Sequence, residues 1–483
     1  MSEPTARVLT VRDPRTGQSD YRFEAPSEEL LALRARELRS AQCAWSARSI
    51  AERVAALERW AVALQDHRDA IVAALTTDTG RHLIALAEHR GVLGSIDRWC
   101  RAAPQLLEER EGRSVANPAI TFRSQLVPYP LVGVISPWNF PLTLSLIDAV
   151  PALLAGCAVL VKPSEVAPRF AEPLRTAIEA VPELATVLEV LPGDGRTGAT
   201  LIGLVDVVCF TGSVRTGRLV AEAAARQFIP AFLELGGKDP VIVTRSADVE
   251  RAAATVLRAS VLATGQACQS LERIYVDASI YDEFVDRLVE LARAVDINFP
   301  DLHAGEIGPL IFARQADLIE AQLADARAKG ARVLCGGDIE THGGGRWVRP
   351  TVLVDVDHTM KIMRDETFGP VMPVMKYTTI DEAIELANDT DYGLSAAVIA
   401  GALEEAEAIG RSIDAGGISL NDGALTGVMN EAEKHSFKLS GMGGSRMGPS
   451  GLTRFLRTKA LIRQTGTPAT IEMFDEAHAL RKP

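Results

Sequence analysis

Short, fully apolar stretches alternate with stretches of helical periodicity through much of this chain. In the first such series the apolar stretches are 132–136, 158–162, 187–191, 205–210 and 231–235, with helices predicted at 142–154, 170–180, 197–202 and 215–226. Strands that are apolar on both faces and separated by amphipathic helices indicate a parallel sheet covered on both sides. Ligands of such sheets bind beyond the carboxyl ends of the strands, so the residues that follow each strand are the first candidates for a site.

A second series of the same kind begins near Pro240. Its predicted strands are 241–243, 273–276, 331–334, 352–354, 371–376, 396–399 and 417–421, and its main predicted helices are 248–263, 281–295, 315–329 and 380–388. At 483 residues the chain is long enough for two large domains, each with its own hydrophobic core. We therefore predict an α/β protein with two parallel-sheet domains.

The segments outside these two series carry other patterns. Residues 1–25 predict an extended arm or short hairpin, and helices are predicted from Ser27 and over 50–76. Residues 111–130 alternate weakly around a central Asn-Pro turn, as a hairpin does. Because this hairpin is not obviously part of a core, it is a candidate for a contact between subunits. A final strand is predicted at 460–462, followed by a loosely held polar tail.

Composition excludes several classes of function. The formal charge of −12 argues against a non-specific nucleic-acid surface, which needs clustered Lys and Arg. The six cysteines stand far apart without zinc-ligand spacing, which favours reduced thiols in a cytoplasmic protein without a metal site. The polar start of the chain lacks the apolar core of a signal peptide, and no run of about 18 apolar residues predicts a membrane span.

Distinctive polar motifs follow four strands of the first series. They are Ser136-Pro137-Trp138-Asn139-Phe140-Pro141, Lys162-Pro163-Ser164-Glu165, Phe210-Thr211-Gly212-Ser213-Val214-Arg215-Thr216-Gly217 and Glu234-Leu235-Gly236-Gly237-Lys238. Taken alone, each is ambiguous. Gly212 and Ser213 could form a turn and helix cap, or could place N–H groups against a pyrophosphate, although the GxGxxG fingerprint is absent. Lys162 and Glu165 could be a surface pair or could hold ribose hydroxyls. Asn139 could be a satisfied core amide or an oxyanion donor.

Glu234 and Cys268 are the two residues that look most reactive. Glu234 closes the last strand of the first series, and Cys268 follows the next predicted helix after Gly265-Gln266-Ala267. The cysteine spacing of this chain does not suggest disulfide bonds. A carboxylate and a lone thiol then suggest covalent thiol catalysis with a nearby base. The alternative is a buried strand end and a structural cysteine.

Together these motifs resemble the aldehyde dehydrogenase superfamily. The sequences PWNFP, KPSE, FTGS, ELGGK, GQAC and ETFGP occur in the family's order and span nearly the whole chain. The resemblance implies a cofactor domain with a variant nucleotide-binding fold at 1–109 and 130–236, a catalytic domain at 237–440, a β-hairpin oligomerisation element at 110–129 and 456–466, and a tail at 467–483. The subunits would form a homodimer or a homotetramer.

The resemblance also implies the reaction, which is oxidation of an aldehyde to its acid. Cys268 would attack the aldehyde carbon, and the Asn139 side chain and the Cys268 backbone N–H would hold the oxyanion of the thiohemiacetal. After hydride has passed to the nicotinamide, Glu234 would activate the water that hydrolyses the thioester. The presence of Glu234 favours water over coenzyme A as the acyl acceptor. A CoA-acylating enzyme and a non-catalytic relative are the alternatives.

Cofactor contacts follow from the same resemblance. The implied contacts are Lys162, Ser164 and Glu165 at the adenosine ribose, Ser213 at the pyrophosphate, Glu366 at the nicotinamide ribose with Phe368 beside it, and Ser136, Pro137, Trp138, Gly212, Gly217 and Leu235 around them. A carboxylate at Glu165 should accept from both ribose hydroxyls and repel a 2′-phosphate. NAD is therefore favoured, and NADP stays possible.

Asp148 marks one departure from the family pattern. Many relatives carry a lysine at this position, paired with a glutamate after a Ser-Gly near the carboxyl terminus, and after Ser440-Gly441 this chain has no carboxylate either. Our hypothesis is a swapped arrangement in which Asp148 pairs with Arg446 or Lys438. The alternative is a solvated Asp148.

The loop at 433–437 is a second departure, because it replaces the family's usual Pro-Phe-Gly-Gly. In relatives this loop and the neighbours of the cysteine line the aldehyde tunnel. The predicted lining residues are Gln269 and His435 as polar contacts, Phe140 and Phe437 as apolar walls, and Ala267 beside the cysteine. Aliphatic, aromatic and semialdehyde substrates all stay open.

Overall fold

The computed structural model describes residues 7–476. The strands are β1 (Arg7–Arg12), β2 (Ser19–Ala25), β3 (Glu111–Arg113), β4 (Ile120–Pro128), β5 (Leu131–Ile135), β6 (Ala158–Lys162), β7 (Leu188–Val190), β8 (Val207–Thr211), β9 (Ala231–Glu234), β10 (Asp239–Val243), β11 (Leu271–Asp277), β12 (Arg332–Cys335), β13 (Ile339–His342), β14 (Gly345–Val348), β15 (Thr351–Val354), β16 (Val371–Tyr377), β17 (Tyr392–Gly393), β18 (Ser395–Ile399), β19 (Gly417–Leu420), β20 (Phe437–Lys438), β21 (Gly441–Met442) and β22 (Leu456–Gln464).

The α-helices are α1 (Glu28–Ser46), α2 (Ile50–Asp66), α3 (Arg68–Thr79), α4 (His82–Leu106), α5 (Pro141–Leu146), α6 (Ala149–Ala155), α7 (Ala171–Glu179), α8 (Pro182–Ala185), α9 (Gly195–Ile202), α10 (Val214–Gln227), α11 (Val249–Val261), α12 (Tyr281–Arg293), α13 (Ala313–Ala328), α14 (Lys361–Arg364), α15 (Ile380–Asn388), α16 (Leu403–Gly410) and α17 (Ser450–Thr453). Short 3₁₀ turns occur at Leu262–Gly265, Leu425–Gly427 and Ile471–Phe474. In the part of the chain that the structure describes, no helix combines the length and the apolar character that a membrane crossing needs.

The first α/β series forms one sheet with the strand order β21-β9-β8-β5-β6-β7. The strands from β9 to β7 are parallel, as predicted, and the short β21 pairs antiparallel with β9. Every residue of β5, β6 and β8 is buried, as expected for strands covered on both faces. The sequence did not indicate β21, because two residues are too few to show an alternating pattern.

The second series forms a sheet with the order β12-β15-β16-β11-β10-β18-β19. All neighbours are parallel except β12, which runs antiparallel to β15. On β10, Val241 and Val243 pack into an apolar cluster with Phe284, whereas Ile242 packs into a separate cluster with Ile319. This alternation places one hydrophobic core on each face of the sheet. The chain passes from the first sheet to the second between β9 and β10. The exact limits of the two domains stay a prediction.

Two predicted helices are each divided in two. The helix predicted over 50–76 is broken at His67, whose backbone (φ −97°, ψ 11°) leaves the helical region. The ring nitrogen Nδ1 of His67 lies 2.8 Å from the Ala63 carbonyl oxygen. The helix predicted over 142–154 ends at Leu146 and resumes after Asp148, which thereby stands at the amino end of α6. The long helix α4 was not predicted as a separate element.

The amino-terminal arm and the 111–130 segment form the predicted hairpins. β1 pairs antiparallel with β2, and β3 pairs antiparallel with β4. β22 is longer than the predicted 460–462 strand and pairs with β4 from Leu456 opposite Pro128 to Gln464 opposite Ile120. The role of this three-stranded sheet in oligomerisation stays a prediction. Residues 1–6 of the predicted arm and 477–483 of the predicted tail lie outside the described residues.

Candidate active site

The motifs that follow the strands of the first sheet lie at one edge, as predicted. Ile135, the last residue of β5, is paired with Lys162 on one side and with Phe210 on the other. Thr211 at the end of β8 is paired with Glu234 at the end of β9. Parallel strands in this register bring their carboxyl ends together, so all four motifs start from the same line across the sheet.

Cys268 follows a strained turn that leads into β11. Ala263 and Thr264 have φ values of 55° and 63°, a left-handed conformation that side-chain-bearing residues rarely adopt. Hydrogen bonds hold the turn: Thr264 Oγ1 donates to the Gly308 carbonyl at 3.1 Å, and Gln266 Nε2 donates to the Pro309 carbonyl at 3.1 Å. The backbone just before the cysteine is therefore fixed by the surrounding structure.

Asn139 lies directly against this turn. Its side-chain Nδ2 donates to the Gln266 carbonyl at 3.0 Å, two residues before Cys268. The buried Arg81 joins the two segments, because its guanidinium donates to the Asn139 carbonyl at 2.5 Å and to the Ala263 carbonyl at 2.9 Å. Burial lowers the pKa of Arg81 to about 10. Arg81 was not predicted as a site residue, since its partners are backbone carbonyls in distant segments.

Glu234 reaches the same cleft from the end of β9. Its Oε2 accepts a hydrogen bond from Ser436 Oγ at 2.8 Å, and its backbone pairs with Gly441 of β21. A Cβ on Gly237, three residues after Glu234, would lie 2.6 Å from the Cys268 carbonyl oxygen, so the loop after β9 packs against the segment that carries the thiol. The Glu234 charge also raises the pKa of Cys268. Ser436 was missed as a site residue, because the motif around it does not match the family pattern.

The thiol of Cys268 is protonated at rest. Its pKa is raised to about 12, mainly by burial and in smaller part by the carboxylates of Asp239, Glu366 and Glu234. The Lys434 ammonium opposes them. Only the thiolate is a good nucleophile, so the proton must pass to a base before attack.

Glu366 packs against the glycines that follow Glu234. The Gly237 N–H donates to Glu366 Oε1 at 3.1 Å, and a Cβ on Gly236 would lie 2.5 Å from Glu366 Oε2. A side chain at Gly236 would therefore displace this carboxylate. Burial, helped by the charge of Glu272, raises the pKa of Glu366 to about 8.

Three aromatic rings pack together next to the segment that carries Glu366. Trp138 contacts Phe368 edge-to-face, with ring centroids 5.5 Å apart, and Phe312 lies 5.9 Å from Trp138. Phe368 has a φ of 54°, so the loop after Glu366 is also strained. These contacts join the loop after β5 to the loop before β16.

The predicted contacts to the adenosine ribose lie at the end of β6, and the predicted pyrophosphate contact lies after β8. Lys162 Nζ donates to the Gly193 carbonyl at 2.6 Å and lies 3.8 Å from Glu165 Oε2. Ser164 Oγ accepts from the Val166 N–H at 3.2 Å. Ser213 is exposed and caps α10, where its hydroxyl accepts from the Thr216 N–H.

This donor and acceptor set fits a nicotinamide dinucleotide. The Glu165 side chain is 42% exposed and can accept from ribose hydroxyls, and the amino end of α10 offers N–H groups to a pyrophosphate. A Cβ on Gly217 would lie 2.5 Å from a Leu235 side-chain carbon, so glycine lets α10 approach β9. Ser136 is committed elsewhere, because its hydroxyl bonds to Ser145 Oγ at 2.7 Å.

The predicted lining residues divide into two groups. Ala267 and Gln269 flank Cys268, and the Phe140 ring lies beneath the Arg81 guanidinium at 5.5 Å. His435 is exposed. Phe437 belongs to β20, where it pairs with Gly393, and no contact among the described residues joins its ring to Cys268.

Asp148 forms the swapped ion pair that the sequence predicted. Its carboxylate accepts from Arg446 Nε at 3.2 Å and from Arg446 Nη2 at 2.9 Å, and it also accepts from Arg454. The Asp148 side chain is 1% exposed, so the solvated alternative is wrong. Lys438, the other predicted partner, pairs with Asp414 instead. Arg454 was not predicted.

Comparisons with known proteins show the family of the chain. The model of the aldehyde dehydrogenase family matches residues 1–461. A Mycolicibacterium smegmatis protein, provisionally named as an NADP-dependent succinate-semialdehyde dehydrogenase, is 35% identical over 463 residues, which are 95% of this chain and 88% of the relative.

Solved structures give the same result. PutA from Anabaena variabilis, provisionally named as an aldehyde dehydrogenase, is 51% identical with a TM-score of 0.94, and the match covers 96% of this chain and 99% of PutA. Betaine aldehyde dehydrogenase from Staphylococcus aureus in complex with NAD⁺ is 28% identical with a TM-score of 0.89, and the match covers 96% of this chain and 93% of that enzyme.

Proposed function

The chain belongs to the aldehyde dehydrogenase family, and we propose that Cys268, Glu234 and Asn139 perform its reaction. The protein is an NAD(P)-dependent enzyme that oxidises an aldehyde to the carboxylic acid. One observation carries the residue assignment: three distant segments meet at one cleft. The Asn139 amide bonds to the turn before Cys268, and the loop that follows Glu234 packs against the Cys268 carbonyl at Gly237.

The first step in this proposal is formation of the thiolate. Glu234 takes the Cys268 proton, and its Oε1 is the oxygen that Ser436 leaves free, since Ser436 bonds to Oε2. The thiolate attacks the aldehyde carbon. Asn139 Nδ2 carries two N–H bonds and uses one on Gln266, so the second can donate to the oxyanion together with the Cys268 backbone N–H.

The second half of the reaction releases the acid. The bound dinucleotide supplies the hydride acceptor, and loss of hydride leaves the acyl group on Cys268 as a thioester. Glu234 then takes a proton from water, which attacks the thioester carbon. Ser436 would hold the Glu234 carboxylate in position for both proton transfers.

Variants of the three residues test this assignment. Cys268→Ala should abolish NADH release with every aldehyde that the parent accepts, and Asn139→Ala should lose about 10²–10³ in rate. Glu234→Gln should slow both the first release of NADH and the later release of the acid, because both proton transfers lose their base. A Cys268→Ala enzyme that keeps its activity would contradict the assignment. Coenzyme A consumption by the parent in place of water would favour the CoA-acylating alternative.

NAD is the proposed cofactor in preference to NADP. Lys162 Nζ bonds to the Gly193 carbonyl at 2.6 Å and is farther from Glu165, at 3.8 Å, so the half-exposed Glu165 carboxylate is only partly compensated. That charge should repel a 2′-phosphate. We expect Glu165→Gln to raise kcat/KM for NADP relative to NAD by about tenfold. This change corresponds to the loss of about 1.4 kcal/mol of repulsion between the carboxylate and the 2′-phosphate. An unchanged ratio would contradict the role of Glu165.

We infer a homodimer or homotetramer assembled through the sheet of β3, β4 and β22. β22 is an edge strand whose outer residues Leu461 and Ile462 are 43% and 70% exposed, and such edges invite pairing with another chain. Size-exclusion chromatography of Ile462→Asp should then show smaller particles than the parent. A cytoplasmic location is also inferred, since all six cysteines are free thiols.

A further inference from the structure

The loop at 433–437 carries a cation that has no partner. Lys434 is half-buried, and its ammonium forms no hydrogen bond or ion pair with any residue from 7 to 476. Lys438 in the same loop region is different, because its ammonium lies 3.0 Å from Asp414 and also donates to two carbonyls. An unpaired charge in a partly buried cleft is costly, so Lys434 is a candidate for binding something outside this chain.

Contacts on both sides fix where Lys434 lies. Its backbone N–H donates to Ser445 Oγ at 3.1 Å, and two residues later Ser436 bonds to Glu234. A Cβ on Gly417 would lie 3.2 Å from Lys434 Cδ and 2.7 Å from Thr426 Cγ2. The stem of Lys434 therefore runs over the start of β19, next to Thr426.

Thr426 connects this position to the neighbour of the nucleophile. Thr426 Oγ1 donates to Gln269 Oε1 at 2.9 Å, which leaves the amide nitrogen of Gln269 as a donor. That nitrogen has no partner within the described part of the chain. Cys268, Gln269, Thr426 and Lys434 thus form one wall with two unused donors, an amide and an ammonium.

The electrostatic field at the cleft points to the same position. Lys434 is the charged group that acts most strongly on Cys268, and it opposes three carboxylates there. It also acts on the buried Asp239. A substrate with an anionic end would therefore find a favourable counter-charge in Lys434, whereas the three carboxylates would repel it.

We propose that Lys434 and Gln269 bind a carboxylate at the far end of the aldehyde, so that aldehyde acids are the preferred substrates. This inference rests on the proposed function. A carboxylate accepts a charge-assisted hydrogen bond from the Lys434 ammonium and a second bond from the Gln269 amide. The named substrates of the relatives include a semialdehyde acid and a cationic betaine aldehyde, so the family alone does not decide the charge.

A matched pair of substrates tests the proposal. 4-Oxobutanoate and its methyl ester have the same aldehyde and nearly the same length, but only the acid carries a charge. In Lys434→Met the ratio of kcat/KM for the acid to that for the ester should fall about 10–100-fold, because a hydrogen bond to a charged group is lost. Lys434→Arg should keep the parent's preference, and the control Lys438→Met should not change the ratio.

The possible outcomes separate the two proposals. An unchanged ratio in Lys434→Met would overturn the inference. Lys434 would then serve only as a counter-charge for the thiol, and its loss would slow the oxidation of both substrates equally. A parent that prefers the ester would also overturn it, while the proposed function would stand. Failure of the parent to oxidise any aldehyde with NAD or NADP would contradict the proposed function itself. Thermal denaturation of each variant would confirm that it is folded.

Discussion

Two buried ion clusters flank the site and are built in opposite ways. The Asp148 cluster contains Asp148, Arg446 and Arg454 and lies beside the end of β8 in the first sheet. The Lys238 cluster contains Lys238 and Glu272 and lies at the start of the second sheet. Side chains in both clusters are at most 7% exposed, so neither is a surface ion pair. The difference between them lies in the balance of charge.

The Lys238 cluster is balanced and fully bonded. Glu272 accepts from Lys238 Nζ at 2.7 Å, from the Thr367 N–H at 2.7 Å and from the Phe368 N–H at 2.8 Å. Its bonds therefore attach the loop that carries Glu366 to β11. A neutral pair with satisfied oxygens holds geometry, here that of the predicted nicotinamide ribose contact.

The Asp148 cluster has one carboxylate and two guanidiniums. Arg446 also donates to Thr211 Oγ1 at 2.6 Å, and Arg454 Nε has no hydrogen-bond partner among the described residues. Burial lowers the pKa of Arg446, but the charges of Asp148 and Glu234 outweigh burial and raise it. Glu234 therefore lies within electrostatic reach of the excess positive charge. The comparison indicates that one cluster positions a loop, whereas the other also supports the charge of the proposed base.

Removing the one carboxylate of the unbalanced cluster should have the largest effect. Asp148→Asn leaves two buried arginines without their counter-charge, and breaking a buried pair in this way costs about 3–5 kcal/mol. We expect a large fall in the midpoint of thermal denaturation and slower acid release. Asp338→Asn is the control, because its partner Arg327 is 3.6 Å away and the Asp338 side chain is 85% exposed. Unchanged stability and activity in Asp148→Asn would contradict the role of the cluster.

Breaking the balanced cluster should cost less. Lys238→Met removes one donor from Glu272, but the Thr367 and Phe368 N–H groups stay bonded, so we expect a loss of about 2–3 kcal/mol in urea denaturation. NAD affinity should also fall, because the loop with Glu366 loosens.

Double variants compare how much stability each cluster recovers when a second charge is removed. Glu272→Gln added to Lys238→Met removes the remaining charge, so part of the lost stability should return. Arg446→Gln added to Asp148→Asn should recover less, because Arg454 stays buried and unpaired. Equal recovery in the two double variants would contradict the difference in charge balance.

The clusters and the active site show which contacts can be predicted from the sequence. The convergence of the strand motifs was predictable, because parallel strands must bring their carboxyl ends to one edge. The Asp148–Arg446 pair was predictable only because two family residues are missing together. Arg454, Arg81 and Ser436 were not predictable, since each contacts a segment distant in sequence and none belongs to a local pattern.

The smallest losses of stability are expected for the two threonines whose hydroxyls accept hydrogen bonds from the clusters. Thr367 Oγ1 accepts from Lys238 at 2.9 Å and donates to Gln322 Oε1 at 2.8 Å, whereas Thr211 Oγ1 accepts from Arg446. Thr367→Val should cost about 1–3 kcal/mol because it leaves buried groups unsatisfied.

Thr211→Val should cost only about 0.5–1.5 kcal/mol, since Arg446 keeps both bonds to Asp148. Urea denaturation of both variants measures the difference, and the serine variants at the two positions, which keep the hydroxyl, are the controls. If Thr211→Val costs more than Thr367→Val, the bond to Thr211 is essential to the Asp148 cluster. Charge balance alone would then not explain how the two clusters differ.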